Sequence, residues 1–67
     1  MIEVNGTPSE VAAGTTVADL LTTLDVPAGA RGIAVAVDAE VVPRAEWPAF
    51  ALADGARVEI LTAVQGG

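Results

Sequence analysis

The sequence predicts an α+β domain, a mixed sheet packed on one helix, and three observations predict it. Apolar and acidic residues alternate from Ile2 to Val4, and Asn5-Gly6 follows, a pair suited to positive φ in a two-residue hairpin turn. Val17, Leu20, Leu21 and Leu24 recur at helical spacing. Residues 32–37 and 57–63 alternate with the period of two that strands require.

Taken in order, residues 7–11 form the returning arm of the first hairpin. Thr16-Val17-Ala18-Asp19 has the spacing of a capping box, with Asp in place of Glu, and opens a short amphipathic helix that Pro27 and Gly29 are expected to end. In the next strand Ile33, Val35 and Val37 share one face, expected to meet the helix, while Ala34 and Ala36 share the other. Residues 38–48 read less clearly: Val41-Val42 suggests a short strand, and Pro43 and Pro48 bracket a turn carrying Trp47. Asp54-Gly55 marks another turn before the closing strand, in which Val58, Ile60 and then Thr62 are the inward candidates. Val64-Gln65-Gly66-Gly67 is left as a protruding, flexible tail. Hairpin, helix, strand, irregular segment and strand is the order of the β-grasp, or ubiquitin-like, fold, with residues 1–67 forming one such domain and 64–67 its tail.

Composition narrows the function. A chain of 67 residues has material for one core and little for a roomy cleft. No apolar run approaches the roughly 18 residues of a membrane span, and the start of the chain lacks the basic and apolar regions of a secretory signal. A cytoplasmic protein away from membranes is expected. Three arginines, no lysine and nine acidic residues give a net charge of −6, which repels a phosphate backbone and favours a basic protein partner over nucleic acid. Cysteine and histidine are both absent, which removes disulfides, thiolate metal sites and the familiar Ser-His and Cys-His nucleophile pairs. The nine carboxylates are spread along the chain without a spacing that pairs them as acid and base or as a metal cage, so no catalytic residue and no metal ligand is assigned. Asp19 suits a helix start and Asp54 a turn.

The remaining candidate is the chain end. A terminal carboxylate is a poor electrophile, so its chemical use requires activation, most simply transfer of an adenylyl group from ATP. Glycines without Cβ atoms make a thin strip that can thread a narrow channel, which suits Gly66-Gly67; the plain alternative is a frayed terminus. An activated acyl group is attacked by nearby amines and thiols, and the chain has no lysine or cysteine to do so, although a background preferring arginine gives the same composition. Trp47 and Phe50 read as core or turn packing. If Glu59 faces outward, Leu61 and Ala63 do too, beside Ala34 and Ala36, and form an apolar partner patch next to the tail; the alternative is a slip in the alternation that buries Leu61.

Several stretches together resemble the ThiS family of sulfur carriers of thiamine biosynthesis, from end to end. They are Val4-Asn5-Gly6, Thr16-Val17-Ala18-Asp19-Leu20-Leu21, Val35-Ala36-Val37, Val42-Pro43-Arg44 with Glu46-Trp47, Leu52-Ala53-Asp54-Gly55, and Val64-Gln65-Gly66-Gly67. The Pro-Arg-x-x-Trp stretch and the Val-Gln-Gly-Gly ending are the specific parts. Three positions depart from the pattern, Thr7, Asp38 and Ala56, all expected in turns. The resemblance implies that Gly67 is the site of adenylation and thiocarboxylate formation, with Gly66, Gln65 and Val64 threading into partner active sites. It implies a ubiquitin-activating-like adenylyltransferase of ThiF type using Mg-ATP, a persulfide sulfur donor, and a thiazole synthase of ThiG type as acceptor. The chain itself would be a recycled cosubstrate, not an enzyme, with no permanently bound cofactor.

Other readings of the same end remain. The small subunit of molybdopterin synthase shares the fold and glycine ending but resembles a longer chain with a Pro-rich approach, unlike Thr62-Ala63-Val64-Gln65. A sulfur carrier for tRNA thiolation, a ubiquitin-like covalent protein modifier, and an interaction domain with an inert tail complete the set.

Overall fold

The computed structural model describes residues 1–26 and 32–62. Its strands are β1 (Ile2–Val4), β2 (Thr7–Ser9), β3 (Ile33–Val37), β4 (Glu40–Val41) and β5 (Arg57–Thr62), in one sheet of order β2-β1-β5-β3-β4. β5 is central, parallel to β1 and antiparallel to β3, so the sheet is mixed as expected. Helix α1 spans Val17–Thr23. Ile2, Val35, Val37 and Val58 of the sheet form one buried cluster with Val17, Leu20 and Leu21 of the helix, each such side chain contributing about 1.5–3 kcal/mol.

The helix begins where its sequence says it should, and every amide of its first turn has a partner. Asp19 N–H donates to Thr16 Oγ1 at 3.1 Å, and Thr16 N–H donates to Asp19 Oδ2 at 3.2 Å, which completes the capping box. Leu20 N–H donates to the Thr16 carbonyl, while Val17 and Ala18 N–H donate to the carbonyls of Phe50 and Trp47 at 3.0 and 3.1 Å. The irregular segment is therefore a cap for the helix.

The helix ends earlier than expected, and by a different device. Asp25 takes a left-handed φ of 60°, its N–H donates to the Thr22 carbonyl at 3.1 Å, and Val26 N–H donates to the Leu21 carbonyl at 2.8 Å. This is a Schellman closure with Asp where Gly is usual. Leu24 becomes the cap residue and is 44% exposed instead of extending the buried stripe. Pro27 and Gly29, the expected stops, lie outside the described residues.

Two tight hairpins flank the sheet. Val4 and Thr7 enclose Asn5 (φ 49°) and Gly6 (φ 83°); Val37 and Glu40 enclose Asp38 (φ 50°) and Ala39 (φ 70°). Positive φ at both central residues matches the twist of the paired strands. The second hairpin moves the expected Val41-Val42 strand by one residue: β4 is Glu40–Val41, and Val42 turns into the core with its N–H on the Val35 carbonyl at 2.8 Å. The first hairpin returns only as far as Ser9, not Val11. Pro8 guards that edge. It stands opposite Glu3, whose own N–H points to the Ala56 carbonyl on the far side, so the N–H that proline lacks is one that would face solvent.

Between the two prolines a 3-10 turn at Arg44–Glu46 delivers Trp47 to the core, 3% exposed. Its Nε1 donates to the Val42 carbonyl at 2.9 Å, and the Arg44 guanidinium carbon lies 5.1 Å from the ring centre. Trp47 and the partly buried Phe50 thus pack against the core, as their residue types suggested. Of the three positions expected in turns, Asp38 lies at the centre of one, and Ala56 closes another with its N–H on the Ala53 carbonyl at 3.0 Å. Thr7 opens β2, and Ala56 is buried at the first rung between β1 and β5, where a small side chain fits.

Candidate functional site

Val64, Gln65, Gly66 and Gly67, together with Ala63, lie outside the described residues. The structure does describe the strand that leads to them. Along β5 the inward residues lose cover progressively: Val58 is buried, Ile60 half-buried and Thr62 exposed, so Thr62 is not the inward residue its parity suggested. The strand runs out from the core as it approaches the chain end.

The outward residues of β5 alternate as the unslipped reading requires. Leu61 is 61% exposed and stands opposite Ala34, and Glu59 stands opposite Ala36. Ala36 also faces Val41 on its other side, and Val41 is 74% exposed. Leu61, Ala34, Ala36 and Val41 thus share the open face of the sheet. Val41 was missed in the sequence because its face depends on the Asp38-Ala39 hairpin, and Asp-Ala is a weak signal beside Asn-Gly. Glu3, Arg57 and Glu59 occupy the same face toward β1, with Arg57 Nε 3.9 Å from Glu3 Oε2, a loose exposed pair of little energetic weight.

Among the described residues no group of acidic side chains is placed to hold a metal ion. No helix among them is long and apolar enough to cross a membrane. Asp54 is displaced from ordinary titration: the hydrogen bond from the Met1 α-ammonium, and then that group's charge, hold its carboxyl below the usual value. This pair sits at the start of β5, the opposite end from Thr62, and serves folding. A depressed folded pKa means a contribution present above the unfolded value near 3.9 and lost as pH falls through the lower folded value. Because the pair is exposed, the effect is small and salt-sensitive. Asp54→Asn should therefore lower stability slightly at neutral pH and leave the parent and variant indistinguishable in acid. Denaturant midpoints taken between about pH 2 and 6 check this.

Among the described residues, a five-stranded mixed sheet with one α-helix, its central strand leading toward a Gly-Gly sequence, defines a small ubiquitin-like β-grasp domain. The model of the ThiS family matches residues 2–67, and the chain belongs to that family. The crystal structure of the thiamine biosynthesis protein (ThiS) from Geobacter metallireducens is similar at 38% identity and a TM-score of 0.81, covering 98% of this chain and 97% of that one. An NMR solution structure of a thiamine biosynthesis protein from Geobacter metallireducens is similar at 37% identity and a TM-score of 0.77, covering 98% and 86%. Comparison with curated protein sequences gives no significant match.

Proposed function

We propose that the chain is a sulfur carrier of thiamine biosynthesis and that its working group is the carboxylate of Gly67. The observation that carries this reading is the reach of the family match: it extends through residue 67 and so includes Val64-Gln65-Gly66-Gly67. The similar Geobacter metallireducens proteins, named for thiamine biosynthesis, favour that pathway over molybdopterin synthesis and tRNA thiolation.

The chemistry follows from the electrophile. A carboxylate oxygen of Gly67 attacks the α-phosphorus of Mg-ATP on a ThiF-type adenylyltransferase, pyrophosphate leaves, and an acyl adenylate results. The terminal sulfur of a persulfide then attacks the acyl carbon and AMP leaves. A thiol cleaves the remaining S–S bond, taking the donor sulfur into a disulfide and leaving the terminal thiocarboxylate. A ThiG-type thiazole synthase accepts that sulfur, and hydrolysis returns the carboxylate. The protein is consumed and regenerated in each cycle as a cosubstrate, not as an enzyme, and the metal and nucleotide belong to its partner. Val64, Gln65 and Gly66 thread the partner's channel, while Leu61, Ala63 and the neighbouring open face meet its surface outside. The cytoplasm, where ATP is available, is the setting this requires.

Intact-protein mass spectrometry tests the proposal. With a competent adenylyltransferase, Mg-ATP and a persulfide donor, the chain should gain the mass difference between sulfur and oxygen. An unchanged mass under those conditions, or a natural chain that continues past Gly67 untrimmed, sinks it. A product joined to lysines of another protein would instead identify a covalent modifier.

A further inference from the structure

The last rung between β1 and β5 is made by a side chain. Alternation along β5 turns the backbone groups of Val58 and Ile60 toward β1, and those of Arg57 and Glu59 toward β3; Asn5 N–H takes the Val58 carbonyl at 2.9 Å. At Asn5 the backbone leaves the ladder, with φ 49°, and turns toward β2. Ile60 would then face no strand. Instead Ile60 N–H donates to Asn5 Oδ1 at 2.8 Å, and Asn5 Nδ2 donates to the Ile60 carbonyl at 3.2 Å. The amide has both a donor and an acceptor, and it uses them on the two backbone groups of one residue. A similar device holds the other end of the strand, where Arg57 N–H donates to Asp38 Oδ1 at 3.1 Å.

We propose that the Asn5 amide is a positioning group for the end of β5: by holding both backbone groups of Ile60 on the β1 side, beside the β3 pairing that continues to Thr62, it fixes the orientation in which this strand end meets the adenylating enzyme. This rests on the carrier reading. Without the clamp β5 is held on the β1 side only as far as Val58 and by β3 alone from there to Thr62, so the strand end is looser and must be ordered when it docks. That cost falls on binding, because the reacting carboxylate and its activated form dock through the same segment.

The test separates the clamp from the turn. Asn5→Gly keeps the positive φ that the hairpin needs and removes both side-chain bonds; Asn5→Asp tolerates the same φ and keeps only the acceptor. In Asn5→Gly the Ile60 amide should exchange with solvent roughly 10-fold faster, while the Glu59 amide, which faces β3, is unchanged. The KM of the adenylyltransferase for the carrier should rise roughly 3- to 10-fold with kcat held within about twofold. Asn5→Asp should fall between parent and Gly variant in both readouts. Unaltered exchange at Ile60, or faster exchange with no change in KM, overturns the proposal. A parent chain that never gains sulfur overturns the carrier reading instead, and the exchange measurement then still decides whether the clamp exists.

Discussion

Deleting Gly67 is expected to slow adenylation of the chain end by at least about 10²-fold, because a misplacement of only 1 Å at a reacting centre can cost that much. One residue fewer withdraws the carboxylate by up to roughly 3.5 Å, well beyond that tolerance. The carboxylate itself survives on Gly66, so the loss would report position and not the absence of the functional group. Gly66→Ala should slow the reaction too, since a Cβ widens the strip that must enter the channel and closes some backbone angles to it. Neither change should move the thermal midpoint, as the buried residues described all lie between Ile2 and Val58. Single-turnover release of pyrophosphate measures the first effect and a melting curve the second. A Gly67 deletion adenylated at the parental rate would contradict the assignment of the site.

The largest effect on stability is expected at Trp47. Trp47→Ala removes a side chain that is 3% exposed, leaves the Val42 carbonyl without its indole donor, and opens a void beside the helix start. Loss of a buried Trp costs about 3–5 kcal/mol, a large share of the stability available to so short a chain. In a domain of this size that corresponds to a fall in Tm of roughly 15–30 °C. Trp47→Phe should recover most of the packing but not the hydrogen bond. Calorimetry on both variants separates the two contributions, and a Tm for Trp47→Ala within a few degrees of the parent would refute the packing role.

What the sequence revealed and what it hid have physical reasons. The first turn, the capping box and the alternation of β3 were legible because each depends on residues within a few positions of one another: Asn5-Gly6, Thr16 with Asp19, and Ile33, Val35 and Val37. The end of the helix was not, because Asp25 carries out a task that is usually signalled by Gly. The segment around Trp47 was obscure because its carbonyls serve the helix some thirty residues earlier, a contact with no local signature. Ala56 closes the turn beside Gly55, as its position suggested, but its burial in the core was not legible, since small residues suit exposed and buried places alike. On the open face, Leu61 followed from strand parity whereas Val41 required knowledge of a hairpin made by Asp38 and Ala39. The terminal chemistry was approached from composition and resemblance alone, as Ala63 to Gly67 lie outside the described residues.

The parallel pairing of β1 with β5 has a mechanical consequence. The first strand and the last described strand are direct neighbours running the same way, so tension between the two termini slides them along each other. The bonds from Glu3 to Ala56 and from Asn5 to Val58 are then loaded in shear and share the force, instead of opening one at a time like a zipper. A protein grasped by its tail and tugged from an enzyme would resist such pulling far better than one whose terminal strand lay at an unpartnered edge.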